Sequence, residues 1–159
     1  MSKRSKKLPK KRQNSDYWIY GHHAVVGALM NENRVKYEVY FTSEAEKKLK
    51  NEIKLENMNV ISIKKTRDEI DLILKGISNH QGICLRVEKI QTPQLSDFIK
   101  NLNEERSIIF LLDQLEDPQN VGAIFRSALA FNIDGIILTN NNSVTENSFL
   151  AKTASSAID

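Results

Sequence analysis

The sequence predicts an α/β fold, built as a small N-terminal α/β domain followed by an incomplete open parallel-sheet domain. Three observations predict it. Short strand-like and helix-like segments alternate as βαβαβ within about seventy residues of the N-terminal half. The run Ser107–Leu112 (SIIFLL) is almost wholly apolar, the pattern of a strand covered on both faces. A polar loop and a helical period follow it and return to a second apolar run, Ile136–Leu138, which completes one βαβ unit.

Taken in order, the first fifteen residues read as a disordered basic arm, because they hold almost nothing to bury. Gly21–Met30 suits a short helix with Val25, Val26 and Leu29 on one side. Lys36–Phe41 has the aromatic and β-branched content of a strand. Ser43 with Glu46 is read as a capping box opening a helix over Glu44–Glu56, and Val60–Ile63 as a short strand. Thr66 with Glu69 repeats the signal for a helix to about Leu74, which Gly76 can end. Ile83–Val87 alternates as a strand. Gln91-Thr92-Pro93 breaks the pattern, so residues 16–90 form the first domain and 91–104 a linker with a short helix at Leu95–Leu102. Residues 105–159 hold the second domain: strand, loop Asp113–Asn120, helix Val121–Phe131, strand, loop Asn140–Asn142, and a helix from Ser148 still running at the last residue.

Composition narrows the function classes. The chain has 159 residues, 40% hydrophobic and 27% charged, the balance of an ordinary globular protein. No apolar run approaches the ~18 residues of a membrane span, and no apolar segment follows the basic start as in a secretory signal. A single cysteine, Cys84, allows no internal disulfide and suits a reducing, cytoplasmic setting. Three histidines and that cysteine have no zinc-type spacing, so no metal is expected. Of 23 lysines and arginines, seven lie in the arm: Lys3, Arg4, Lys6, Lys7, Lys10, Lys11 and Arg12. The remainder, with 16 basic against 20 acidic residues, carries −4. The arm therefore reads either as a polyanion contact working by counterion release or as a solvated tail.

The most specific segment is Asp117–Arg126 (DPQNVGAIFR). Asp117-Pro118 sets a turn, and Asn120 reads as an N-cap. Val121, Ile124, Phe125 and Ala128 form the core stripe, while Gly122, Arg126 and Ala130 line a neighbouring face that another backbone or a ligand can approach. Taken alone, Arg126 is a helix arginine with its stem over the core, and Asn120 is a plain cap. The segment matches neither a dinucleotide fingerprint nor a P-loop.

The stretch Leu111–Phe131 (LLDQLEDPQNVGAIFRSALAF), followed by DGIIL, resembles the first motif of the SpoU-type (SPOUT superfamily) RNA 2′-O-ribose methyltransferases. Tyr20–Val25 (YGHHAV) and Asn79–Ile83 (NHQGI) resemble the two ends of the substrate-binding domain that many members carry ahead of the catalytic one. The resemblance implies that Asn120 and Arg126 are catalytic-site residues. The arginine would assist activation of a ribose 2′-hydroxyl, with S-adenosyl-L-methionine as methyl donor and RNA, most of all ribosomal RNA, as partner. A homodimer is a further expectation from the family. His22, His23 and His80 receive no catalytic role, because no nucleophile or base accompanies them.

The family closes its catalytic domain with a C-terminal trefoil knot whose loops hold the cofactor, and the Gly-x-Glu, Ile-Pro and Ser-Leu-Asn elements of those loops do not occur in this chain. Ser156 also stands where members commonly have glycine. The resemblance thus covers the substrate domain and the first half of a methyltransferase domain, with the cofactor site not contained in the chain. Two readings stay open: an RNA ribose methyltransferase represented by its N-terminal portion, or a non-catalytic RNA-binding fragment or remnant. A separately encoded C-terminal half would be a partner of the first.

Overall fold

In the computed structural model, the described residues are 16–55, 58–102, 106–139 and 143–159. The basic arm with its seven cations and the Asn140–Asn142 loop lie outside them. The first unit is a four-stranded sheet in the order β1-β4-β2-β3. Its strands are β1 (Asp16–Tyr20), β2 (Lys36–Phe41), β3 (Ile61–Lys64) and β4 (Ile83–Glu88). β4 runs antiparallel to both β1 and β2, whereas β2 and β3 are parallel. β1 is a strand the sequence reading did not foresee: DYWIY is short and adjoins the charged arm, and only pairing with β4 reveals its register, from Asp16 opposite Glu88 to Tyr20 opposite Cys84.

Strand alternation divides the first core. Ile83, Leu85 and Val87 face α1 (His22–Met30) and α2 (Ser43–Glu52), burying Val25, Ala28, Leu29 and Leu49. Cys84 faces the other side, against Ile70 and Leu74 of the α3 (Arg67–Ile73) region. Each helix has a local cause. α3 carries the expected capping box, with the Thr66 hydroxyl accepting from Glu69 N–H and the Glu69 carboxylate accepting from Thr66 N–H. α2 corrects the expectation of a Ser43 cap: Thr42 is the cap, accepting from Ala45 N–H at 3.3 Å, and the helix ends at Glu52 rather than Glu56. The carbonyls at the end of α1 receive Lys36, whose ammonium donates to Leu29 and Asn31 oxygens at 3.1 and 2.5 Å.

The second unit begins with α4 (Leu95–Lys100) and pairs β5 (Ile109–Leu112) in parallel with β6 (Gly135–Leu138), from Ile109 opposite Gly135 to Leu112 opposite Leu138. The expectation of a strand covered on both faces is corrected here, since Leu111 is 69% exposed. Between these strands lies α5 (Pro118–Ala130), which starts three residues before the expected Val121. Asp117, not Asn120, is its cap, and Pro118 takes the first helical position, where a missing N–H costs nothing. α6 (Ser148–Ala154) is capped by Asn147, which accepts from Phe149 and Leu150 N–H at 2.9 Å. It does not run on as expected: the backbone turns left-handed at Ser155 (φ 57°) and continues as a 3-10 turn to Ile158.

That last segment leaves the second unit and joins the first. Ala151 is wholly buried in the core of the first unit, where α6 packs against β1, and Ile158 packs against the same cluster. Buried Arg34, just after α1, closes the junction. Its Nε lies 2.6 Å from Asp159, and its Nη1 lies 2.6 Å from Glu146 while also donating to the Glu88 carbonyl at 2.9 Å. Tyr17 Oη and Ile90 N–H donate to the same Glu146 carboxylate at 2.5 and 2.8 Å.

Candidate functional site

α5 is positioned for ligand contact by its place in the sheet. Its N-terminus follows the C-terminal end of β5, the edge where open parallel sheets bind ligands. Gly122 lets α6 cross it closely: a Cβ at that position would lie 2.8 Å from the Ala154 nitrogen. The Thr153 hydroxyl fills the crossing, 3.0 Å from the Pro118 and Leu150 carbonyl oxygens. The glycine–arginine–alanine face foreseen in the sequence is therefore taken by another backbone at its first position.

Arg126 lies one turn further along that face. It is exposed and off the apolar stripe, and its Nη1 donates to the Thr153 carbonyl in the last turn of α6. This is a favourable place for a cation, at the negative end of a helix. One of the five guanidinium donors is thus committed, and the side chain is tethered rather than free. Asn120 is exposed in the first turn, and its amide has no partner among the described residues. The two are not brought together: six helical positions separate them by ~9 Å along the axis and ~120° around it. Asp113, Gln114 and Glu116, which follow β5, are exposed, so the described residues at this edge do not by themselves enclose a group the size of an adenosyl cofactor.

The histidines have structural partners. His80 is wholly buried; Gly82 N–H donates to its Nδ1 at 3.0 Å, so the proton sits on Nε2, which faces Asp71 at 2.9 Å. His22 Nε2 lies 2.6 Å from Glu52, and His23 meets His22 edge-on. Burial pushes the Cys84 thiol up to about 12, which makes it unreactive. No group of three metal-binding side chains forms among the described residues, and no described helix is long and apolar enough to cross a membrane.

A second feature was not singled out from the sequence. An open groove of about 1130 Å³ runs along the first unit, past Thr42, Gln81 and Gly82. It is lined by Lys48, Lys64, Lys65, Arg67 and Lys152, against the acids Glu44 and Glu69. The run Lys64-Lys65-Thr66-Arg67 is the one local signal for it, since Lys152 arrives only through the fold.

Comparison with known proteins agrees with both units. The family model for RNA 2′-O ribose methyltransferase substrate binding matches residues 18–93, and that of the SpoU rRNA Methylase family matches residues 107–159. A Borreliella burgdorferi protein named as an uncharacterized tRNA/rRNA methyltransferase is 37% identical over 112 residues, covering 65% of this chain and 48% of the relative. An AdoMet-bound rRNA methyltransferase from Sinorhizobium meliloti shares the fold, with TM-score 0.67 at 18% identity over 91% of this chain and 51% of the neighbour. The AdoMet complex of the SpoU methyltransferase AviRb from Streptomyces viridochromogenes does so with TM-score 0.68 at 17% identity, over 91% and 52%. The chain spans about half the length of these proteins. With a substrate-binding unit matched ahead of a methylase unit, and the motif loop seated on the matching parallel sheet, the chain belongs to the SpoU methylase family.

Proposed function

We propose that the chain supplies the RNA side of an S-adenosylmethionine-dependent ribose 2′-O-methylation, with ribosomal RNA as substrate and Asn120 and Arg126 beside the reacting ribose. The observation that carries this reading is the tethering of Arg126: α6 holds one edge of the guanidinium and leaves the other donors facing solvent. A guanidinium stays protonated near neutral pH, so its contribution is electrostatic: it favours the developing alkoxide and positions a neighbouring phosphate. Asn120, unpartnered in the first turn of α5, is suited to donate or accept at the N-terminal end of that helix, six positions from Arg126. S-adenosylmethionine, where bound, supplies the methyl group; the described residues do not enclose it.

The seven cations of the basic arm add sequence-independent RNA affinity in this reading. Two experiments test it. The 159-residue chain is titrated against ribosomal RNA, transfer RNA and duplex DNA, with a second chain starting at Gln13. Tighter binding to ribosomal RNA, and a flatter salt dependence without the arm, are expected; equal affinity for all three would remove the substrate assignment. In a methyl-transfer assay on ribosomal RNA, with the C-terminal region of the Borreliella relative added, Arg126→Ala is expected to lower transfer about 100- to 1000-fold. Unchanged transfer would return Arg126 to a packing role.

A further inference from the structure

The groove of the first unit contains a cation from the second. Lys152 belongs to α6, in the part of the chain matched by the methylase family, yet its ammonium lies against Gly21 and lines the groove with Thr42, Gln81 and Gly82. Gly21 is what admits it: the backbone there is left-handed (φ 87°), and a Cβ would clash with Lys152 Nζ. The neighbouring cations are partly compensated. Lys64 pairs with Glu46 at 3.2 Å, Lys65 with Glu69 at 2.8 Å, and Arg67 donates to the Ser78 carbonyl at 3.0 Å. Lys152 has no hydrogen-bond or ion partner among the described residues. Partial burial lowers its ammonium below the usual lysine range.

An unpartnered cation in a groove with a 5:2 excess of basic over acidic lining residues calls for an anion. The groove is large, and open rather than closed, which fits a chain of phosphates better than one small ion. We infer that Lys152 and the Lys65–Arg67 edge form a phosphate-backbone subsite for RNA, built jointly by the two units. The inference rests on the reading of RNA as partner. Because Lys152 reaches the groove only when α6 is docked against β1, RNA held there also fixes α6, and with it the Thr153 carbonyl that tethers Arg126. Lys152 is in this sense a positioning residue for the site at α5.

The test is anisotropy titration of the full chain with a ribosomal-RNA hairpin across a salt series. Lys152→Gln is expected to weaken binding about fivefold to eightfold at 0.1 M salt and to flatten the log–log salt slope by about 0.7 to 0.9, one phosphate contact. Lys152→Arg should restore both, and Lys100→Gln, an exposed change on α4, should alter neither. Arg67→Gln, at a second cation lining the groove, provides the same readout should Lys152→Gln fail to fold. If the wild-type chain binds the hairpin and neither groove variant changes affinity or slope, the subsite is overturned while the functional reading stands. If the wild-type chain binds no RNA, both fall. Lysine acetylation mapped by mass spectrometry separates the sources of the anion. Shielding of Lys152 by the hairpin supports the proposal; shielding by inorganic phosphate or poly-aspartate alone overturns it.

Discussion

At the scale of single residues, burial and partners decide what each polar group can do. His80 has a motif-like sequence context, but its two nitrogens are spent on Gly82 N–H and Asp71, which pins the 79–82 turn to α3. His80→Ala is therefore expected to destabilise the chain by about 1–3 kcal/mol, the cost of leaving a buried donor unsatisfied, whereas His23→Ala should be close to neutral. Urea unfolding of the two variants measures the difference, and equal midpoints would refute the assignment. Arg126 was legible as exceptional in the sequence, since only its surrounding motif distinguishes it from an ordinary surface arginine. Its anchor was not legible, because Thr153 is 27 residues away and reaches it through a helix crossing.

At the scale of elements, the sequence located helices and strands better than it located their ends. Thr66 and Glu69 were readable because no competing cap stands beside them. Thr42 and Ser43 compete, and the strand decides: Thr42 N–H donates to the Gly82 carbonyl at 2.8 Å, which fixes Thr42 as the last extended residue. Asp117 and Asn120 compete in the same way, and Pro118 decides by preferring the first helical position. Thr42→Ala should accordingly cost about 1 kcal/mol, while Ser43→Ala should stay within a few tenths. Thermal or urea unfolding distinguishes them, and a larger loss at Ser43 would reinstate the capping box first read there. β1 and the end of α6 were not legible at all, because pairing with β4 defines one and packing under the first sheet defines the other.

At the scale of the whole molecule, all four tyrosines lie in the first unit, and the fold raises the ionisation of each hydroxyl. Burial acts first on Tyr17, with Glu146 adding to it, and burial also raises Tyr20. The hydrogen bond to Glu88 moves Tyr37 up to about 12, and burial followed by Glu38 moves Tyr40 up to about 12. An unfolded tyrosine ionises near ~10, so above that pH the unfolded chain releases protons that the folded chain keeps. Stability from this source is complete below about pH 10 and declines as the pH rises toward 12. Phenolate absorbance and circular dichroism, followed together, should change in one late, coupled step. Tyrosine ionisation completed near pH 10 with the fold intact would contradict the burial and hydrogen bonds that raise these hydroxyls.

The passage of α6 under the first sheet also sets an order of events at the ribosome. All four strands of that sheet have been synthesised once Glu88 emerges, yet the seat of Ala151 stays open until about sixty further residues have followed. A nascent chain therefore carries a wetted apolar hollow, flanked by the unneutralised charge of Arg34, throughout the synthesis of the second unit. Arrested chains ending near residue 104 should be cut readily by protease within α1, whose Ala28 and Leu29 are buried in that core, and chains extended to residue 159 should resist. Equal resistance at both lengths would show that the first unit closes without its late arrival. The contact that aligns Lys152 and Arg126 therefore forms only after the first sheet has waited for it.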